Sequence, residues 1–173
     1  MMGRTHAMAG IATLWLLEPL DLITLETVVP LVTAALFGAF LPDLDASESK
    51  LKRLSVGGIT PFVPLSVALN RAFGHRGLLH SAAGLAIATL VCSLPTGYWL
   101  GWPAAVALFL GYASHLLADA MTKSGIPLLY PKRRRYYVLP RGWRVTTGSL
   151  AEDAIFPLFA CAVLLLLLSH LHP

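Results

Sequence analysis

Leu22–Asp45 reads LITLETVVPLVTAALFGAFLPDLD, and its first 20 residues, Leu22 to Leu41, are interrupted by charge or proline only at Glu26 and Pro30. As a helix, a run of that length crosses a hydrocarbon core of about 30 Å. Pro42 and Asp43 then close it, since proline cannot continue a helix and aspartate favours turns. The rest of the chain repeats this pattern. Ala7–Leu17 is apolar and is followed by Glu18, Pro19, Leu20 and Asp21 rather than by a small-residue cleavage site, so it reads as a retained helix. His80–Leu94 and Trp102–Ala120 form a second apolar pair broken at Pro95, Thr96 and Gly97, and Ala154–Leu168 is a last run with five consecutive leucines. Ile59–Phe73 is apolar but short, with Pro61 and Pro64 near its start, and suits an interfacial or re-entrant helix.

The composition agrees. Of 173 residues, 56% are hydrophobic and 13% charged, against about 45–50% and about 25% in soluble domains, and the mean hydropathy is +0.69. Cys92 and Cys161 both lie in apolar runs, where a free, buried thiol is expected. The expected fold is all-α: one integral-membrane helical bundle over residues 1–173, with about five transmembrane helices and a short interfacial one.

Alternating the crossings places all 13 Lys and Arg, from Arg4 to Arg144, on the side that holds the N-terminus. By the positive-inside rule that side, and the N-terminus, is cytoplasmic. The net charge of +4 then records orientation, and no nucleic-acid partner is expected. The run Lys132–Arg135 is expected to meet anionic lipids or an anionic substrate.

Nine His and acidic residues gather on that same side, at five helix ends. His6 opens the first helix, and Asp43 and Asp45 close the second. His75 and His80 precede the third, His115 and Asp119 end the fourth, and Glu152 and Asp153 open the fifth. His115 and Asp119 are four apart and share a helical face. His75 and His80 are five apart and do not, so His75 belongs to the preceding loop. Ionisable groups at membrane depth are costly and mark function. Imidazole with carboxylate, and no thiolate, suits a divalent metal such as Zn²⁺, Mn²⁺ or Fe²⁺. The number of donors exceeds what one tetrahedral ion takes, pointing to two or three ions. Arg76, within the His motif, is a candidate for holding a substrate phosphate, and Asp43 or Asp45 for the general base.

Thr5-His6, Leu41-Pro-Asp-Leu-Asp45, His75-Arg-Gly-x-x-His-Ser81, Gly111-x-x-x-His-Leu-Leu-x-Asp-x-x-Thr-x-x-Gly125 and Thr147-Gly-Ser-x-x-Glu152 together resemble the YdjM family (DUF457). The resemblance implies an inner-membrane, metal-dependent hydrolase, in some members under LexA control. That family is in turn similar to zinc-dependent phospholipase C and P1-type nucleases. Residue by residue it implies His6, Asp43 or Asp45, His75, His80, His115, Asp119 and Glu152 as ligands, zinc as the metal, and a phosphate ester, lipid-linked or not, as substrate. Two other classes use the same residues: a metal or proton transporter, and a non-catalytic membrane protein with a structural metal. Transport would require polar groups continuing across the bundle, where the sequence offers few.

Overall fold

The first apolar segment is built from two kinds of helix. α1, Gly3–Ala12, runs directly into a 3-10 helix, Thr13–Leu20, which ends at Asp21 in the left-handed region (φ 51°). At rises of about 1.5 and 2.0 Å per residue the two pieces together are about 30 Å long. Thr24 and Thr27 then exchange side-chain hydrogen bonds with each other's backbone N–H (2.8 and 3.2 Å), and α2 follows at Val28–Phe40. Leu41–Asp45 continues as a 3-10 turn with Pro42 in its first positions.

The remaining helices are α3 (Phe62–Phe73), α4 (Ala82–Leu100), α5 (Trp102–Ala120) and α6 (Leu150–Leu171). The structure, a computed structural model, describes residues 1–46, 49, 51, 54–55, 58–74 and 76–171, without the side chains of 170 and 171. His75, His172, the His170 side chain, Lys50, Lys52 and Arg53 lie outside that set. Among the described residues there are six α-helices and no strand. The all-α membrane bundle expected from the sequence is therefore the observed architecture. Among the described residues four helices, Val28–Asp45, Ala82–Leu100, Trp102–Ala120 and Leu150–Ser169, are long and apolar enough to cross a membrane; the expected first crossing, Ala7–Leu17, is not one of them, because its segment is split between a ten-residue α-helix and a 3-10 helix. α3, at 12 residues, is about 18 Å long and too short to cross.

One boundary differs from expectation. Pro95, Thr96 and Gly97 do not break the hairpin but lie inside α4, and the turn falls at Gly101 (φ 85°). Proline is tolerated within a membrane helix because neighbouring groups and local adjustment of the helix re-satisfy the backbone it frees, whereas a left-handed turn residue calls for glycine. The outer faces of α4 (Ile87, Leu90, Val91, Leu94) and α6 (Leu158, Leu164, Leu165) are exposed and apolar, as surfaces that meet lipid are. Both cysteines are free, but neither is fully buried: Cys161 is exposed on α6, and Cys92, half-buried, packs against the edge of the apolar core.

α2 and α5 run in the same direction at very close range. A Cβ on Gly38 would lie 2.1 Å from the Leu108 carbonyl oxygen, and one on Gly111 2.1 Å from that of Ala35. α1 joins them where a Cβ on Gly10 would lie 2.7 Å from the Ala39 Cβ. Small residues let backbones approach where no hydrophobic drive holds helices together. This contact carries the site, because it brings the residues about one turn beyond the contact on α2 and α5, and one turn before it on α1, within reach of each other. Away from the site the core is apolar, with Leu14, Leu17, Ile23, Leu31, Leu108 and Leu166 buried.

Candidate metal centre

His115 is the middle of the cluster. It lies one turn beyond Gly111 on α5, so the close approach of α2 sets its ring against the end of that helix, and its Nδ1 is 2.7 Å from the Ala39 carbonyl oxygen. A carbonyl only accepts, so Nδ1 carries the proton and donates, and Nε2 keeps its lone pair. Nε2 is buried and has no hydrogen-bond partner among the described residues. The His6 ring stacks on that of His115 at 3.7 Å and 11°, and the His80 ring stands edge-on to it at 5.3 Å and 71°.

His80 comes from a single 3-10 turn, Leu78–His80, ahead of α4. Three bonds hold that turn. Tyr112 Oη donates to the Leu79 carbonyl (2.7 Å), Ser81 Oγ donates to the Leu78 carbonyl (2.6 Å), and Ser81 Oγ accepts from the Gly84 N–H (3.1 Å) as the cap of α4. Asp43 enters from the 3-10 turn that follows α2.

Asp119 Oδ1 is 3.4 Å from His6 Nε2, and Asp119 Oδ2 is 3.6 Å from His80 Nε2. Asp43 Oδ1 is 3.6 Å from His80 Nε2 and 3.7 Å from His115 Nε2. These separations are long for hydrogen bonds. They match donors sharing a cation, since two ligands about 2.1 Å from a tetrahedral ion lie about 3.4 Å apart. Two triads, His6–Asp43–His115 and His80–His115–Asp119, each have their ligand atoms within 4.8 Å of one another. Four of these five side chains are at most 1% exposed, while Asp43 is 29% exposed and forms the mouth. A buried imidazole nitrogen without a partner carries a desolvation cost that a bound cation removes. The donor set and the spacing therefore fit a divalent metal.

Of the other expected residues, His75 lies outside the described set. Asp45 is buried, its backbone carbonyl accepting from Asn70 Nδ2 at 2.7 Å, and belongs to neither triad. Glu152 is buried, with Oε1 accepting from the Met2 N–H (2.5 Å) and Oε2 from the Gly148 N–H (2.8 Å). It ties the N-terminal segment to the start of α6, and the Met1 ammonium donates to Asp119 Oδ1 at 2.5 Å. Arg76, at a left-handed φ of 57°, places Nη2 3.1 Å from Asp119 Oδ2.

Sequence reasoning missed the Ala39 carbonyl, Tyr112 and the backbone of Met1 and Met2. A usable signal existed for the first: Ala35, Ala39, Gly111 and His115 repeat at a spacing of four. Glu152→Gln replaces one acceptor oxygen with a donor. It is expected to lower thermal stability in detergent by about 1–3 kcal/mol while metal content is retained. Lost metal at unchanged stability would make Glu152 a ligand instead.

A family model described as "YdjM inner membrane protein" matches residues 1–172. "Inner membrane protein YdjM" of Escherichia coli (strain K12) is 38% identical over 109 residues, 61% of this chain and 52% of the relative. The protein of the same name from Shigella flexneri aligns with the same figures. The match thus spans about half the length of these two relatives. "Uncharacterized protein YvsG" of Bacillus subtilis (strain 168) is 32% identical over 155 residues, 90% of this chain and 87% of the relative. No solved structure matches.

Proposed function

This chain belongs to the YdjM family of inner membrane proteins, and on that premise we propose that it is a metal-dependent hydrolase that cleaves a phosphate ester at the cytoplasmic face of the membrane. The observation that carries this reading is the pair of overlapping His and Asp triads centred on the buried, unbonded Nε2 of His115. His6, His80, His115, Asp43 and Asp119 would hold a divalent ion such as zinc, which would supply Lewis-acid polarisation of a phosphoryl oxygen and lower the pKa of water toward about 7.

The roles of the chain's own groups follow from their placement. His115 Nδ1 is committed to Ala39, so this side chain serves one ion through Nε2. Asp119 turns one oxygen toward His6 and the other toward His80. Asp43, the partly exposed carboxylate at the mouth, is placed to take a proton from an incoming water, and is favoured over the buried Asp45 as general base. Arg76 reaches Asp119 from the open side and offers its remaining donors to a phosphoryl oxygen.

Two further features support a one-sided cytoplasmic site. The described cations lie at or near the helix ends that carry the cluster, which the positive-inside rule assigns to the cytoplasm. Among the described residues the core around Leu14, Leu31 and Leu108 is apolar, whereas transport would require polar groups continuing across the bundle.

The test is a screen of phosphomonoesters, phosphodiesters and lipid phosphates with the full chain in detergent, with Zn²⁺ or Mn²⁺ supplied. The expected result is phosphate release that a chelator abolishes and added metal restores. Protein that holds metal but turns over none of these classes would contradict hydrolysis.

A further inference from the structure

Beside the metal cluster, reached through Arg76, lies a cavity of about 300 Å³ whose walls include Phe73, Arg76, Gly77, Tyr130, Arg133 and Arg135. It forms where the turn after α3 meets the loop between α5 and α6. That loop is closed at its base by reciprocal backbone bonds, Ile126 N–H to Tyr136 O (3.2 Å) and Tyr136 N–H to Ile126 O (2.8 Å). It is pinned to the start of α4 by the Ala82 N–H donating to the Leu128 carbonyl (2.9 Å). Phe73 and Tyr130 meet edge to face at 6.4 Å across the cavity wall. Gly77 fits only as glycine, because a Cβ there would lie 2.1 Å from the Phe73 carbonyl oxygen. The loop is thus a braced ring, which holds Arg133 and Arg135 on the cavity wall.

The lining holds three guanidinium groups and no carboxylate among the described residues. Arg76 is paired with Asp119 on its far side. Neither Arg133 nor Arg135 has an ion-pair partner among the described residues, unlike Arg4, which pairs with Asp153. Arg134 and Arg144 instead lie over the Tyr136 and Tyr137 rings. Like charges gathered around a cavity repel until an anion fills it, and planar guanidinium forks match phosphate oxygens.

We propose that this cavity binds the dianionic phosphate of a phosphomonoester, with Arg76, Arg133 and Arg135 as its charge partners and Arg76 joining it to the metal cluster. A phosphomonoester carries a charge of about −1.5 to −2 at neutral pH, which answers three guanidiniums better than the single charge of a diester does. This deepens the phosphoesterase reading and rests on it for the reaction, while the binding itself stands on the arginines. The phosphate is carried either by a lipid headgroup or by a soluble ester.

The experiment is a calorimetric titration of the full chain in neutral detergent with inorganic phosphate, with metal content measured alongside. Binding is expected, and Arg133→Gln/Arg135→Gln is expected to weaken it by roughly tenfold or more per guanidinium removed with metal content unchanged. Dimethyl phosphate is expected to bind more weakly by about tenfold or more. Displacement of phosphate by phosphatidic acid in mixed micelles, but not by glycerol phosphate, identifies a lipid substrate. The reverse identifies a soluble one. Unchanged affinity in the double variant, or equal binding of phosphate and dimethyl phosphate, overturns the proposal. If phosphate binding is lost in His115→Ala but kept in the arginine variant, the anion sits on the metals; the cavity is then wrong and the hydrolase reading survives. Arginine-dependent binding in a chain that holds no metal does the reverse: the phosphate cavity stands and the metal-dependent hydrolase reading falls.

Discussion

Replacing His115 with alanine is expected to strip the protein of its metal and to reduce ester hydrolysis by about 10³-fold or more. Changes to groups that merely orient metal ligands already cost about 10–100-fold in metal affinity or activity. His115 is common to both triads, so its Nε2 serves whichever of them holds an ion, and through its stacking on His6 it also positions a second ligand. The ring is fully buried, so alanine also opens a cavity, at a cost of about 3 kcal/mol. His115→Asn separates the two effects. Its amide nitrogen can still donate to the Ala39 carbonyl, as Nδ1 does at 2.7 Å, but it has nothing in place of Nε2. The asparagine chain is therefore expected to keep its helical circular dichroism and most of its thermal stability while losing metal and activity together. Retained metal in His115→Asn would remove this residue from the centre.

Asp119→Asn is the second large effect. Its carboxylate faces the Met1 ammonium at 2.5 Å, Arg76 at 3.1 Å, His6 at 3.4 Å and His80 at 3.6 Å, and is 1% exposed. Removing one side of a buried charge pair leaves the other uncompensated, at a cost of about 3–5 kcal/mol. A structural role would give that loss alone. A ligand role adds a linkage: an ion bound only to the folded chain stabilises it, so a chelator lowers the wild-type unfolding midpoint. In Asp119→Asn the midpoint is expected to start low and to be insensitive to the chelator. A variant that still responds to chelation as wild type does would leave Asp119 with the structural role only.

Much of this site is legible in the sequence, because membrane depth makes each polar residue conspicuous. His6, Asp43, His80, His115 and Asp119 stand at helix ends that alternating topology must place on one side, and the structure brings those five together. The choice between Asp43 and Asp45 was not legible. They sit two residues apart in a 3-10 turn, and only the path of that turn decides which one enters a triad. Glu152 reads from the sequence as a ligand, yet its oxygens meet the backbone of Met2 and Gly148, partners that no side-chain pattern announces.

The helices themselves were legible as apolar runs, whereas their internal geometry was not. Thr13–Leu20 is as apolar as an α-helix would be, so its 3-10 pitch could not be read from the hydrophobic pattern. Pro95 signals a break in water and is absorbed in an apolar helix. The contact of α2 with α5 rests on Gly38 and Gly111, which in a membrane sequence look like ordinary small residues until their register is known.

The metal content of the chain decides whether the cluster is a metal centre. It is measured by elemental mass spectrometry on protein purified from membranes without added metal or chelator, alongside His115→Asn. At least one transition-metal ion per wild-type chain is expected, zinc foremost, with its loss from the variant. A wild-type chain free of transition metal, or equal metal in the two proteins, would contradict a metal centre built on His115.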